Sequence, residues 1–208
     1  MQQRAERTRS EILLASEMEF SDKGFSGARV DEIAARAGVN KNLIYKYFGN
    51  KESLYKTVFV IVYDRFSKIE QEIFTFSDCD YRTRIKKFVE MEFKYCMENP
   101  TYVRLIMWEN LNHAKFFNKD ELTVSKGEIL NWVEKIVEDA EKEGRLMKSI
   151  DAKQLLLTLY ACCFNYFTNM NTLSGIIGCD LMKEEEIEKR ITAVTDLLIA
   201  YLEHGEKV

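Results

Sequence analysis

Apolar residues recur at helical spacing along most of the chain, and glycine or proline interrupts the pattern at only a few points. The first apolar stripe runs from Ile12 to Phe20 and stops before Gly24, where glycine is the preferred residue for a left-handed helix end. The sequence contains one proline and nine glycines, and so few helix-breaking residues favour long helices over strands. We therefore predict an all-α fold of about nine helices. The predicted helices cover residues 7–23, 31–37, 41–48, 51–74, 81–97, 100–111, 122–144, 151–171 and 183–204.

Capping residues mark the starts of several of these helices. Asn40 precedes the third helix and Asn50 the fourth, and an asparagine side chain accepts hydrogen bonds from the free N–H groups of a first turn. The pair Asn99-Pro100 supplies a cap followed by a proline at the first helical position. Asp151 opens a segment that resembles a capping box. Local chemistry therefore predicts where these helices begin.

Residues 31–48 have the helix, glycine turn and helix of a helix-turn-helix. The inward positions, which can form one small core, are Ile33, Ala34, Val39, Ile44 and Phe48. The outward positions at the start of the second helix are Lys41, Asn42, Tyr45 and Lys46. Such side chains suit base edges and phosphates in a major groove. The pattern favours DNA binding, but an ordinary pair of core helices with solvated polar faces also fits it.

The segment from Gly24 to Tyr55, GFSGARVDEIAARAGVNKNLIYKYFGNKESLY, resembles the DNA-binding head of the tetracycline-repressor (TetR) family. The match is dense and ungapped, and it includes the turn at Gly38-Val39. Outside the head the likeness is looser. The resemblance implies an N-terminal three-helix helix-turn-helix domain at residues 1–50. It also implies a C-terminal helical ligand-binding and dimerisation domain at residues 51–208.

The resemblance further implies which side chains of the head meet DNA. The positions that face base edges in relatives are occupied by Lys41, Asn42 and Tyr45. The positions that contact phosphates are occupied by Arg29, Tyr47 and Lys51. Many relatives carry Ser or Thr where this chain has Arg29, so the usual cap of the second helix is missing and a charged phosphate contact can replace it.

The predicted helix at residues 151–171 is apolar on two faces, and both faces must be covered. One face can pack on the body and the other on a partner, or both can be central in a monomer. The resemblance favours a homodimer with a four-helix interface and, by symmetry, a palindromic operator. The predicted interface residues are Leu155, Leu159, Cys162, Tyr166, Ile191, Val194, Leu198 and Tyr201.

The C-terminal body is rich in aromatic residues and methionines, most of which we expect to be ordinary core. By resemblance, a small-molecule effector binds among the helices of this body. The residues predicted to line its site are Tyr95, Trp108, Trp132 and Phe167. No buried charge cluster stands out in the sequence, so an apolar or aromatic effector is favoured. Arg104 could bind an anion, although an ion pair with a glutamate is the simpler expectation.

Composition and charge limit the other possibilities. No apolar run approaches the roughly 18 residues of a membrane span, and the N-terminus MQQRAERTRSE is too polar for a secretory signal, so we expect a cytoplasmic protein without membrane contact. Five cysteines without a CxxC motif agree with a reducing compartment. The net charge is −4, but residues 1–56 carry ten basic and eight acidic side chains, a surplus of +2. A mildly basic head on an acidic body permits DNA contact at the head.

The sequence lacks the motifs of common enzymes and cofactor proteins. We find no P-loop, dinucleotide fingerprint, nucleophile elbow or metal-ligand spacing, so we expect no catalytic site, no cofactor and no metal. Two alternatives remain open. A helical regulator could sense redox state through Cys162 and Cys163, or the helix-turn-helix could bind another protein. We expect a ligand-responsive transcriptional repressor; an activator stays open as an alternative, because repression or activation depends on the position of the operator.

Overall fold

The structure, a computed structural model of the chain, describes residues 2–117, 127–146 and 150–203. Within these ranges the α-helices are α1 (Gln2–Gly27), α2 (Val30–Arg36), α3 (Lys41–Phe48), α4 (Lys51–Ile73), α5 (Tyr81–Glu98), α6 (Pro100–Leu111), α7 (Glu128–Lys142), α8 (Ala152–Ile177) and α9 (Glu184–Glu203). A short 3-10 helix, Phe74–Phe76, follows α4. The described ranges contain nine α-helices and no strand, which confirms the predicted all-α fold.

Most predicted boundaries agree with the structure, but those of α1 and the end of α8 do not. Helix α1 was predicted over residues 7–23 and runs from Gln2 to Gly27, with a non-helical backbone at Gly24. The sequence predicted an end near residue 171, but α8 continues to Ile177 and ends at Gly178, whose φ is 78°. Gly175 lies inside the helix and does not interrupt it. The predicted start of the seventh helix at residue 122 and the predicted end of the ninth helix at His204 lie outside the described residues.

The chain divides into two compact units. The first unit comprises the described parts of residues 1–65 and 99–123, and the second those of 66–98 and 124–208. The predicted domain division after residue 50 stays a prediction, because a compact unit is a matter of packing and need not coincide with a domain.

The first unit is built around α1, which packs against both α6 and α2, while α2 packs against α3. Trp108 on α6 donates its indole N–H to the carbonyl oxygen of Ser21 at 3.1 Å. Gly24 interrupts the helical backbone of α1 with a φ of 64°. A Cβ atom on Gly24 would lie 2.8 Å from the ring of Trp108. Glycine is therefore required here both by the backbone and by the indole that covers it.

The second unit packs α5 against α8 and α9, and α7 against α8. The guanidinium of Arg84 is buried and pairs with Asp139, which joins α5 to α7. Tyr81 at the start of α5 donates its hydroxyl to Glu203 at 2.7 Å, which joins α5 to the end of α9. Aromatic rings fill the centre of this unit. These contacts make α5 the central helix of the second unit.

Candidate DNA interface and ligand site

The helix-turn-helix consists of α2, a turn at residues 37–40, and α3. Gly38 adopts a φ of 65° in this turn, and the N–H of Val39 donates to the carbonyl oxygen of Ala34 at 3.0 Å. The side chain of Asn40 accepts the N–H of Leu43 at 2.8 Å, as its sequence position predicted. Ile44 is buried on the inner face of α3. The turn and the cap together hold the start of α3 in one orientation.

A buried carboxylate replaces the missing side-chain cap of α2. Arg29 occupies the N-cap position and makes no side-chain cap bond. Its backbone N–H donates instead to Oε1 of Glu19 at 3.1 Å, and Lys23 donates to the same oxygen at 2.8 Å. Burial of Glu19 disfavours its charge, but these hydrogen bonds outweigh burial and hold the pKa of the carboxyl below its usual value. Glu19 lies on the apolar side of α1, and its role was not predicted from the sequence.

The three predicted base-contacting residues lie at the start of α3. Asn42 and Tyr45 are exposed, and Lys41 is half-buried. Lys41 Nζ lies 2.9 Å from Oδ2 of Asp31 and 5.9 Å from the ring centroid of Tyr45. The hydrogen bond with Asp31 raises the pKa of Lys41. A cation, an amide and an aromatic ring are therefore presented together to solvent.

The three predicted phosphate-contacting residues lie in different local environments. Arg29 is exposed. Tyr47 is half-buried and its hydroxyl donates to the carbonyl oxygen of Ala5 at 3.4 Å. Lys51 Nζ lies 4.9 Å from the ring centroid of Phe25, and burial lowers the pKa of Lys51. Nothing in the single chain tests their contact with DNA, so the six assignments stay predictions.

The four aromatic residues predicted to line a ligand site fall into both units. Trp108 belongs to the first unit, where its indole packs α6 against α1 and covers Gly24. Tyr95, Trp132 and Phe167 belong to the second unit and are buried there. Trp132 stacks on Phe88 with ring centroids 6.0 Å apart. The structure thus gives Trp108 a packing role and leaves the other three as candidates.

Two buried carboxyl groups correct the expectation that the body holds no buried charge cluster. Glu70 on α4 accepts a hydrogen bond from the hydroxyl of Tyr160, and burial raises the pKa of Glu70 to about 7. Glu92 on α5 is 1% exposed. Burial, and then the charge of Glu70, raise the pKa of Glu92 well above its usual value. We name Glu70, Glu92 and Tyr160 the carboxyl cluster.

The residues predicted for a dimer interface differ in their exposure in the single chain. Four of them have no exposed surface and pack inside the chain; they are Leu155, Leu159, Val194 and Leu198. Tyr166 is also buried and donates its hydroxyl to the carbonyl oxygen of Leu181. Cys162 and Ile191 are half-buried, and Tyr201 is exposed. The sequence pattern therefore did not separate the faces of α8 and α9 that pack inside the chain from the faces that stay exposed, and the contact with a partner stays a prediction.

Helices α8 and α9 each leave a leucine and a neighbouring alanine exposed. Leu157 is 61% exposed and Leu197 is 54% exposed. Their neighbours at helical spacing, Ala161 on α8 and Ala193 on α9, are exposed too. An exposed leucine with a small apolar neighbour on the next turn gives each helix an apolar patch, and contiguous apolar patches are typical of interaction surfaces.

Of the two vicinal cysteines, Cys163 lacks the environment of a redox sensor. Cys163 is buried, and its burial raises the pKa of the thiol well above the usual value. A raised pKa keeps the thiol protonated and unreactive, because the thiolate is the nucleophile. Cys162 and Cys163 are both free thiols.

The residues that the structure describes offer neither a metal-binding cluster nor a membrane-spanning helix. Among those residues, no group of three or more His, Cys, Asp or Glu side chains is arranged to hold a metal ion. No helix formed by the same residues has the length and apolar character needed to cross a membrane.

Comparison with known proteins agrees with the fold and with the helix-turn-helix. Residues 12–58 match the family described as bacterial regulatory proteins, tetR family, and residues 82–198 match the tetracyclin repressor-like C-terminal domain. The HTH-type transcriptional repressor NicS of Pseudomonas putida is 29% identical over 198 residues, which cover 95% of this chain and 93% of NicS. The repressor SCO4008 of Streptomyces coelicolor is 30% identical over 158 residues, 75% of this chain and 76% of its own.

A solved structure supports the same fold. The fatty acid degradation regulator FadR from Bacillus halodurans superposes with a TM-score of 0.66 at 20% identity, over 94% of this chain and 96% of FadR. The C-terminal match alone spans more than half of the chain. With a helix-turn-helix head and relatives that are repressors, the chain belongs to the TetR family of DNA-binding transcriptional regulators.

Proposed function

We propose that the chain is a repressor that binds a palindromic operator as a homodimer and is released by a small-molecule effector in the cytoplasm. The observation that carries this proposal is the start of α3. There the cap at Asn40 and the turn at Gly38 hold Asn42 and Tyr45 in solvent on a rigid frame. Donors and an aromatic ring presented in this way fit a major groove.

We propose that Lys41, Asn42 and Tyr45 contact base edges. Lys41 is paired with Asp31 in the free protein. An exposed ion pair contributes only about 0–1 kcal/mol, so exchanging Asp31 for a base or phosphate costs little. The proposed phosphate contacts are Arg29, Tyr47 and Lys51. Phosphate contacts set affinity and orientation, whereas base contacts set sequence preference.

A second copy of the chain is the proposed occupant of the exposed faces of α8 and α9. Leu157, Ala161, Ala193 and Leu197 supply an apolar surface with small residues that let helices approach. Two such pairs of helices related by a two-fold axis form a four-helix interface. The two heads would then read half-sites about 34–36 Å apart.

Release by an effector follows from a shift between two populations. A ligand that binds one arrangement of the heads more tightly than the other changes the affinity for the operator. The size of this change is set by the difference between the ligand's two binding free energies, typically about 1–3 kcal/mol. Helix α4 is the proposed connection, because it begins at Lys51 and carries Glu70 near its end. The aromatic residues around Trp132 support an effector with an aromatic body.

Selection of duplexes from a randomised pool by the purified full-length chain tests the proposal. We expect a palindromic sequence, and binding that weakens steeply with salt because phosphates are neutralised. Tyr45→Ala should relax sequence preference, with Tyr45→Phe as the matched control for the ring. Lys51→Ala should weaken binding to all sequences alike, with the exposed Lys68→Ala on the same helix as control. A monomeric chain that selects no duplex would rule the proposal out.

A further inference from the structure

The second unit contains buried polar groups that find no partner. Oε1 of Glu92 and Nε1 of Trp132 are both buried without a hydrogen-bond partner among the described residues. The side chains involved are 1% and 4% exposed, respectively. Native proteins pair most of their buried polar atoms, and each exception requires an explanation. A ligand that supplies the missing partners is one such explanation.

The carboxyl cluster also lacks a compensating charge. The ionisable group that acts on Glu92 is Glu70, a second carboxyl. Glu92 acts in turn on the thiols of Cys96 and Cys163, which are buried and neutral. Arg84, on the same helix as Glu92, is already paired with Asp139. Two carboxyls are therefore buried together with no described cation acting on Glu92, an arrangement that disfavours their ionisation.

Aromatic rings adjoin the carboxyl cluster. The ring centroid of Phe88 lies 5.7 Å from that of Tyr160 and 6.0 Å from that of Trp132. Trp132 also lines a surface cleft of about 250 Å³ with Phe74, Ser77, Glu128, Asn131 and Lys135. Trp132 therefore belongs both to the lining of this cleft and, through Phe88, to the row of rings that reaches Tyr160 of the carboxyl cluster.

We infer that the carboxyl cluster binds the positively charged, N–H-donating head group of the effector, such as an amine or amidine, on a flat aromatic body. This inference rests on the proposed function, because it names the ligand class of the effector site. A cation beside the two carboxyls supplies the absent charge and hydrogen-bond donors. The aromatic rings face the body of the ligand and attract the cation as well. An effector carboxylate is disfavoured, because it would be a third acid beside Glu70 and Glu92.

A panel of fragments with one ring and different head groups tests the inference. Benzylamine, benzamidine, benzyl alcohol and benzoate are added to the full-length protein, and the melting temperature and binding heat are measured. We expect benzamidine or benzylamine to bind and benzoate not to bind. A bound cation makes a protonated Glu92 release its proton, and the buffer takes this proton up. The measured binding heat should therefore differ between phosphate and Tris, because the two buffers are protonated with different heats.

Variants assign the binding to the cluster. Glu92→Gln keeps the shape of the side chain and should weaken cation binding tenfold or more. Glu90→Gln is the matched control on the same helix, since Glu90 pairs with Lys87 at the surface. Circular dichroism checks folding, and Glu70→Gln provides a second test should Glu92→Gln unfold. Equal binding by the wild type and both variants would overturn the inference. So would binding of benzoate alone, or no cation binding up to about 10 mM, a range wide enough for such small fragments.

Operator binding by the unliganded protein is measured separately, so that the two proposals fail separately. If benzamidine binds but no duplex is selected, the ligand site is supported and the proposed repressor function is contradicted. If a duplex is selected but no cation binds, the repressor function is supported and the proposed ligand class is contradicted.

Discussion

The two compact units bury carboxylates in different ways. In the first unit, Glu109 accepts hydrogen bonds from the Tyr55 hydroxyl at 3.1 Å and from the backbone N–H of Phe117 at 2.9 Å. In the second unit, Glu92 is as deeply buried, but one of its oxygens has no described partner. Burial alone therefore does not define the role of a carboxyl; the donors around it do.

Glu17 and Glu19 extend this comparison within the first unit. Glu17 pairs with Arg65 and accepts the hydroxyl of Thr101 at 2.6 Å. Glu19 is held by Lys23 and by the N–H of Arg29. A carboxylate that receives its donors from several helices makes a frame rigid, which suits helices that must fit a groove. A carboxyl left without donors is suited to receive them from a ligand.

Removal of a compensated carboxylate should have the largest effect. Glu109→Ala leaves the Tyr55 hydroxyl and the N–H groups of Phe116 and Phe117 buried without their acceptor. We expect the free energy of unfolding to fall by about 3 kcal/mol, because unsatisfied buried donors cost about 1–3 kcal/mol each and partly overlap. Denaturant unfolding measures this loss. The exposed Glu72→Ala should change stability by less than about 0.5 kcal/mol. A loss of stability in Glu109→Ala as small as that of the control would contradict the view that Glu109 stabilises the first unit through its hydrogen bonds.

The uncompensated carboxyls should make stability fall with rising pH. Glu70 faces Glu92 from α5 and Tyr160 from α8, and its pKa in the folded chain is about 7 against an ordinary value of 4.5. Between pH 4.5 and about 7, the folded state therefore keeps a proton on Glu70 that the unfolded state has released. Stability contributed by this proton is complete below pH 4.5 and is lost as pH rises through 7, with a total on the order of 2 kcal/mol.

Urea unfolding at several pH values between 4.5 and 8 measures this dependence. Glu70→Gln should flatten the dependence of stability on pH across that window, because glutamine does not titrate. Glu11→Gln, an exposed member of an ion pair in the first unit, serves as control. Identical pH profiles for wild type and Glu70→Gln would show that Glu70 is ionised in the folded chain.

Local signals allowed much of the fold to be predicted from the sequence. Asn40 caps α3, Gly24 breaks α1 and Pro100 begins α6 because each acts through its own backbone and nearest turn. The exposure of Asn42 and Tyr45 follows in the same way from the pattern of the helix-turn-helix. Their contact with DNA remains a prediction, since contact requires the second molecule.

Long-range packing could not be predicted in the same way. Helix α8 is apolar on more than one face, and periodicity cannot say which face the rest of the chain covers; Leu159 is buried and Leu157 is exposed. Glu92 was hidden for a related reason. It lies among charged residues in the sequence, yet it follows Phe88 and precedes Cys96 by four residues, on the buried stripe of α5. That spacing was the available signal.

The smallest predicted effect has the opposite sign from the largest. Glu92→Leu removes a buried carboxyl with an unpartnered oxygen and fills its place with an apolar side chain of similar size. Replacing such a group by an apolar one is often neutral or stabilising, so we expect the unliganded chain to gain about 1 kcal/mol. Glu109→Leu, the matched change at a compensated site, should lose stability instead. If both variants lose stability to the same extent, Glu92 has donors of its own, and its carboxyl is a structural group like Glu109 rather than one left open for a ligand.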